Sequence, residues 1–79
     1  MKATVLVRPK EGILDPQGQA VEQSLRKLGF PVAHARVGRV VDVELESASA
    51  DEARERVEAM CRQLLANPLI ESYVVEVHE

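Results

Sequence analysis

A chain of 79 residues has room for one domain, which we expect to span residues 1–79, and its net charge of −3 with scattered Lys and Arg argues against a nucleic-acid partner. The two aromatic residues, Phe30 and Tyr73, are too few for base stacking, and the single Cys61 excludes an intrachain disulfide. No apolar run has the length of a membrane span and the N-terminus lacks a signal-peptide pattern, so we expect a cytoplasmic protein without a membrane partner.

The first two predicted elements are a short strand and a capped helix. Residues 3–7 alternate with the period of a strand, and because both of its faces carry apolar side chains we expect a central strand. Asp15 followed by Pro16 is typical of an N-cap and the first helical position. The helix is predicted to run to about Leu28, where Gly29 favours the left-handed end of a Schellman motif.

The stretch Val32–Glu46 has the strongest strand pattern in the chain. Its odd-numbered residues are apolar except Arg39, its even-numbered residues are mostly polar, and this parity does not change across Gly38. A two-residue hairpin at Gly38 would place two carboxylates on the core face, so the pattern favours one long strand that can bend at the glycine. A three-residue loop over Val37–Arg39 also preserves the parity and stays open as an alternative.

A strand of this length would extend beyond its own sheet. At roughly 3.3 Å per residue it would span about 45–50 Å, whereas a compact domain of this size has a radius of gyration of about 12 Å. An overhanging strand exposes unpaired backbone groups that can pair with another chain. The pattern therefore predicts that the protein associates.

The second half of the chain is predicted to contain a helix and a final strand. Ser49 and Glu52 fit a capping box, and the helix is expected to run to about Ala66, where Asn67-Pro68 ends it. A last strand follows over residues 73–78. The stripe of this helix that is expected to face the core consists of Ala53, Val57, Met60, Cys61, Leu64 and Leu65.

The resulting order is β-α-β-α-β, with a long middle strand. This order predicts an α+β fold, a two-layer sandwich related to the ferredoxin-like plan. In that arrangement the two helices cover one face of the sheet.

Few side chains in the sequence are arranged for chemistry. Cys61 lies on the inner stripe of a helix and is interpreted as a small buried hydrophobe. His34 and His78 lie on polar faces without metal-ligand spacing, and Asp15 is accounted for by its capping role. Arg39, on the apolar parity, must reach solvent, pair with a carboxylate or meet a partner. We therefore expect no catalytic, cofactor-binding or metal-binding residue.

Three segments together resemble the PurS family, the small subunit of phosphoribosylformylglycinamidine synthase. They are residues 10–18 (KEGILDPQG), residues 37–39 (VGR) and residues 64–71 (LLANPLIE). The resemblance covers essentially the whole chain and is specific through the combination of segments. Arg39 occupies a position that is often lysine in the family, which keeps the charge.

The resemblance implies a non-catalytic adaptor in de novo purine biosynthesis. The family's enzyme is a carbon–nitrogen ligase that converts formylglycinamide ribonucleotide to formylglycinamidine ribonucleotide with ATP and glutamine as amido donor. A glutaminase subunit releases ammonia, and a synthetase subunit, using ATP and Mg, accepts it. The small subunit, a homodimer or higher oligomer, joins the two, supports ammonia transfer and binds no cofactor itself.

We expect the first helix start and the bend near Gly38 to face the partners, and the long and final strands to build the dimer. The candidate interface residues are Leu14, Asp15, Gln17, Arg36, Arg39 and Asn67. The alternative is an ACT-like dimeric regulatory module that senses a small molecule, which would need a ligand pocket at the dimer seam.

Overall fold

The computed structural model describes residues 1–78 and contains three strands and two helices. In chain order these are β1 (Lys2–Pro9), α1 (Pro16–Lys27), β2 (Arg39–Glu44), α2 (Ala50–Met60), which continues as a π-helical turn (Cys61–Leu65), and β3 (Glu71–His78). The predicted α+β class and element order are confirmed. None of the helices in the described part of the chain has both the length and the apolar composition that crossing a membrane requires.

The sheet is antiparallel in the order β2-β1-β3, so β1 is central as predicted. Val5 of β1 lies opposite Val41 of β2 and Val75 of β3. The same face of β1 carries Ala3 and Val7, and α2 packs on this face. The buried core cluster consists of Ala3, Val5, Val7, Val57, Cys61, Ala66 and Val75.

The middle strand is shorter than the sequence predicted. Only Arg39–Glu44 pairs with β1, while residues 32–38 run outside the sheet. The change occurs at Gly38, where an added Cβ would lie 2.1 Å from the carbonyl oxygen of Val7. The chain therefore crosses the end of β1 at a separation that only glycine allows. The residues before Gly38 have no neighbouring strand within residues 1–78.

Side chains of α1 hydrogen-bond to the unpaired backbone of residues 32–38. Arg26 donates to the carbonyl oxygens of Val32 at 2.9 Å and Ala33 at 2.7 Å. Glu22 accepts from the Ala35 N–H at 2.8 Å. These bonds tie α1 to the extended segment, and we call α1 together with residues 28–37 the arm.

The position of α1 differs from the one predicted from the sequence. Of the two helices, α2 packs on the sheet, whereas α1 packs on the extended segment of the arm, so the two helices do not share one face as expected. The molecule measures 50 × 25 × 14 Å with a radius of gyration of 15.7 Å. A compact chain of this length would have a radius of gyration of about 12 Å. The arm therefore projects from the sheet.

The helix ends follow the predicted local motifs. Asp15 caps α1, and Gly29 has φ 97°. The Phe30 N–H donates to Leu25 and the Gly29 N–H to Arg26, which is the Schellman pattern. Ser49 caps α2 by accepting from the Glu52 N–H at 3.2 Å.

The end of α2 departs from the predicted core stripe at one residue. The Ala66 N–H donates to the carbonyl of Cys61 at 3.1 Å, a π-type bond spanning five residues. The wider turn rotates the side chains that follow relative to an α-helix. Leu64, predicted to be internal, is 83% exposed, while Cys61 is fully buried.

Candidate partner interface

Four of the six predicted interface residues line one groove at the end of the sheet. Leu14, Asp15, Gln17 and Arg39 surround this groove, which has a volume of about 230 Å³ and also includes Ile70. The groove is formed where three segments that are distant in sequence meet. The structure thus brings together the start of α1, the start of β2 and the loop before β3.

Lys10 fixes the turn before α1 against the loop before β3. Its backbone N–H donates to the carbonyl of Ile70 at 2.9 Å, and its Nζ donates to the carbonyl of Pro68 at 2.7 Å. These two bonds hold the turn beside Ile70, which lines the groove. This role of Lys10 could not be predicted from local sequence, because its partners lie about sixty residues away.

Asp15 connects α1 to the extended segment of the arm. Oδ1 accepts from the Gly18 N–H at 3.0 Å, and Oδ2 accepts from the Val37 N–H at 2.8 Å. The bond from Val37, followed by that from Gly18, holds the pKa of the Asp15 carboxyl below its ordinary value. An added Cβ at Gly18 would lie 2.4 Å from Asp15 Oδ2 and 2.5 Å from the Ala35 carbonyl. The Asp-Pro-Gln-Gly sequence therefore caps α1 and also holds the start of α1 against the extended segment of the arm.

Arg39 pairs with Glu71 across the base of the groove. Its Nη1 donates to Oε2 at 2.6 Å and its Nη2 to Oε1 at 2.9 Å. Nη2 also donates to the carbonyl of Leu65 at 2.5 Å. Of the three roles that the sequence left open for Arg39, pairing with a carboxylate is the one that the chain itself provides. A contact between Arg39 and a partner stays a prediction.

Arg39 and Glu71 each stabilise the charged form of the other. Glu71 also accepts from the Asn67 N–H at 2.7 Å, and its side chain is 17% exposed against 48% for Arg39. The hydrogen bonds from Arg39 and then Asn67 lower the pKa of Glu71, and the bond to Glu71 raises the pKa of Arg39. Both groups are charged at neutral pH, so the charge of Arg39 is balanced within the chain.

The other two predicted residues lie beside this groove. Asn67 turns the loop before β3, where its Oδ1 accepts from the Leu69 N–H at 3.1 Å. Arg36 is exposed and lines neighbouring grooves on either side of the arm. The structure therefore places all six residues at one end of the sheet or on the adjoining arm.

Several apolar side chains near the groove at the end of the sheet are exposed to solvent. Leu14 is 69% exposed, Leu69 81%, Ile70 42% and Ile13 39%. Leu64 follows on the π-helical turn that leads into the same loop. Sequence reasoning named only Leu14 of this set, because the exposure of the others depends on how distant segments meet. Exposed apolar side chains beside polar groups are typical of protein–protein contacts.

The groups that could support chemistry are placed as structural or surface residues. Burial raises the pKa of the Cys61 thiol, with a further increase from the nearby Glu58 carboxylate. His34 lies 3.3 Å from Glu22, and His78 lies 3.2 Å from the Thr4 hydroxyl. Within residues 1–78, no three His, Cys, Asp or Glu side chains are grouped so that they could hold a metal ion.

Comparison with known proteins gives one family. The sequence profile of PurS, described as phosphoribosylformylglycinamidine (FGAM) synthase, matches residues 2–79. The phosphoribosylformylglycinamidine synthase subunit PurS of Methanocaldococcus jannaschii is 37% identical over 79 residues, 99% of this chain and 95% of that protein. The structure of Bacillus subtilis PurS matches with a TM-score of 0.87 at 39% identity, over 99% of this chain and 98% of that one. A chain of PurLQS from Thermotoga maritima matches with a TM-score of 0.87 at 34% identity, over 95% and 93% of the two chains.

Proposed function

Because this chain belongs to the PurS family, we propose that it is the non-catalytic small subunit of phosphoribosylformylglycinamidine synthase in purine biosynthesis. The observation that carries the proposal is the likeness of nearly its whole length to a chain of the PurLQS assembly. In this role it joins a glutaminase chain and a synthetase chain in the cytoplasm. The assembled enzyme uses glutamine, ATP and Mg²⁺ to convert formylglycinamide ribonucleotide to formylglycinamidine ribonucleotide.

An adaptor can support this reaction without a reacting group of its own. Ammonia released by the glutaminase is largely protonated in neutral water, and the ammonium ion is not a nucleophile. Docking the two catalytic chains shortens the path of ammonia and limits its contact with bulk water. What the adaptor must supply is surfaces of defined shape, and the groove and its neighbouring apolar side chains are such surfaces.

Within this proposal, the six predicted residues divide into contact and positioning roles. Leu14, Gln17 and Arg36 are exposed and available to a partner. Asp15 and Arg39 hold the groove walls through hydrogen bonds inside the chain. Asn67 shapes the adjoining loop.

The shape of the chain supports a homodimer. It exposes 5754 Å² of surface, whereas a compact monomer of 8.7 kDa exposes about 4700 Å². The excess of about 1000 Å² is similar to what one partner buries in a standard interface. Three apolar residues of the arm are also exposed to solvent: Val21 is 41% exposed, Leu28 74% and Phe30 56%. A second copy that covers the arm would bury this surface and could pair the backbone groups of residues 32–37 that are not already bonded to α1 or Asp15.

The test of the adaptor function is reconstitution with the glutaminase and synthetase chains of the same organism. We expect the three chains to co-elute from a sizing column, and glutamine-dependent product formation to require this chain. Synthesis from added ammonium salt by the synthetase chain serves as the control, because it bypasses the transfer between chains. Full glutamine-dependent activity without this chain would refute the proposal.

A further inference from the structure

Two arginines that take part in none of the chain's ion pairs line the same groove on the open face of the sheet, although Arg36 lies near enough to Asp15 to help lower the pKa of that carboxyl. Arg8 ends β1 and Arg36 lies in the arm, and the groove between them, of about 420 Å³, has Leu6 and Val40 in its lining. Neither guanidinium forms an ion pair or a hydrogen bond with another part of residues 1–78. Arg39 also lines the groove, but Glu71 balances its charge.

The position of Arg36 is fixed by the fold. On its C-terminal side, the Val37 N–H is held by the Asp15 carboxylate at 2.8 Å. The next residue, Gly38, crosses the carbonyl of Val7 at a separation that excludes a side chain. These two contacts bring Arg36 to the end of β1, where Arg8 lies. The Asp15–Val37 hydrogen bond and the close approach of Gly38 to Val7 therefore bring the two arginines together, although they are 28 positions apart in sequence.

We propose that this groove docks an acidic segment of one of the catalytic chains, which places a carboxylate between Arg8 and Arg36. The inference rests on the proposed adaptor function and deepens it. Guanidinium groups bind carboxylates through two parallel hydrogen bonds, which gives both strength and direction. An apolar side chain of the same segment packs on Leu6 and on Val40, which is 61% exposed.

The surroundings of the groove favour a protein segment over other anions. The opposite end of the same sheet face carries Asp42, Glu44 and Glu76, and the chain has a net charge of −3, so a long polyanion such as a nucleic acid would be repelled. The apolar lining has no use in binding an inorganic anion. β2 is an edge strand, so its outer backbone groups are accessible to an extended partner.

The experiment compares the wild-type chain with the double variant Arg8→Glu/Arg36→Glu in binding to the purified glutaminase and synthetase chains, by calorimetry at low and high salt. We expect the double variant to bind one of them at least about tenfold more weakly, because charge reversal repels an acidic segment. The wild-type affinity for that chain should fall with added salt. The matched control, Lys2→Glu/Arg62→Glu, changes the charge equally at exposed positions away from the groove and should bind like the wild type.

The outcomes separate the two proposals. If the wild-type chain binds neither catalytic chain, the adaptor function fails. If it binds and the double variant binds equally well, the adaptor function stands and the acidic docking site is wrong. Loss of the homodimer with retained binding, or displacement of the partner by inorganic phosphate alone, would also overturn the site. Arg8→Gln/Arg36→Gln, which removes charge without reversing it, gives the same comparison if the Glu variant does not fold.

Discussion

Arg39 joins three parts of the fold through one guanidinium group. It reaches Glu71 at the start of β3 and the carbonyl of Leu65 at the end of the π-helical turn, from its own position at the start of β2. The Arg39–Glu71 pair is partly exposed, so solvent weakens its electrostatic attraction. The two parallel hydrogen bonds make it stronger than an ordinary exposed ion pair. Its contribution to stability is therefore on the order of 1 kcal/mol.

Replacing Arg39 with Glu should lower the free energy of unfolding by about 1 kcal/mol or more, because it sets a carboxylate against Glu71 and against a carbonyl oxygen. Arg39→Lys keeps the positive charge but cannot make two parallel hydrogen bonds to Glu71. The free energy of unfolding should therefore fall by less than in Arg39→Glu. Urea unfolding of both variants measures these losses, and a double-mutant cycle of Arg39→Gln with Glu71→Gln measures the pair, because neither substitution introduces a like charge. A coupling energy of zero would contradict a stabilising pair between Arg39 and Glu71.

Glu71 gives the fold a predicted dependence on acid. Its pKa in the folded chain lies below the ordinary value of 4.5, so the folded state favours the ionised form. The stability it contributes is fully present above that ordinary value and is lost as pH falls through the lower, folded-state pKa. Unfolding free energy of the wild type should thus fall more steeply below about pH 4.5 than that of Glu71→Gln. Parallel curves would contradict this assignment.

At the scale of elements, the glycine crossing sets where β2 can begin. Gly38→Ala would place a methyl group 2.1 Å from the backbone oxygen of Val7, which has no freedom to move aside within β1. We expect a loss of about 1–3 kcal/mol, as for other overpacked sites, together with displacement of the arm. Thermal unfolding measures the loss, and Ser24→Ala on the exposed surface of α1 is the control. An unchanged melting temperature would mean that the crossing is looser than described.

Local signals were sufficient to predict the ends of the helices. Asp15, Gly29 and Ser49 take part in hydrogen bonds that close within a few residues of sequence, so neighbouring residue types identify them. The Arg39 position was also recognised as unusual, because a charge on an apolar parity must be satisfied. These features need no knowledge of the rest of the fold.

Contacts between distant segments could not be predicted in the same way. The Asp15–Val37 bond spans 22 residues and the Arg39–Glu71 pair spans 32, and neither leaves a local pattern. The alternation over residues 32–38 was real, but alternation reports which face of a strand is apolar and not whether a neighbouring strand is present. For the same reason the arginine groove was not predicted: Arg8 and Arg36 become neighbours only through the crossing at Gly38.

At the scale of the whole molecule, the surfaces that we propose for association lie on the sheet and on the arm. The sheet end presents the groove and the exposed leucines, and the open face presents the two arginines. The arm presents an apolar side of α1 and an extended backbone whose partners come mainly from α1 side chains. The proposed contacts meet at Arg36, which belongs to the arm and also lines the arginine groove. Both can form at the same time if a second copy pairs with the backbone there, because the side chains of an extended segment stand away from its hydrogen-bonding edge.

The proposed dimer contact on the arm predicts that a substitution there separates the two copies without unfolding the chain. Leu28, at the end of α1, is 74% exposed in the single chain and would be buried if a second copy covers the arm. Leu28→Lys should therefore give a monomer in sedimentation equilibrium, because burying an ammonium group in an apolar contact is costly. A cation at a helix C-terminus is favourable for the helix itself, so the fold should persist. Leu64→Lys, at an 83% exposed position on the sheet end, should leave the dimer intact. A dimeric Leu28→Lys with a monomeric Leu64→Lys would move the dimer contact from the arm to the sheet end.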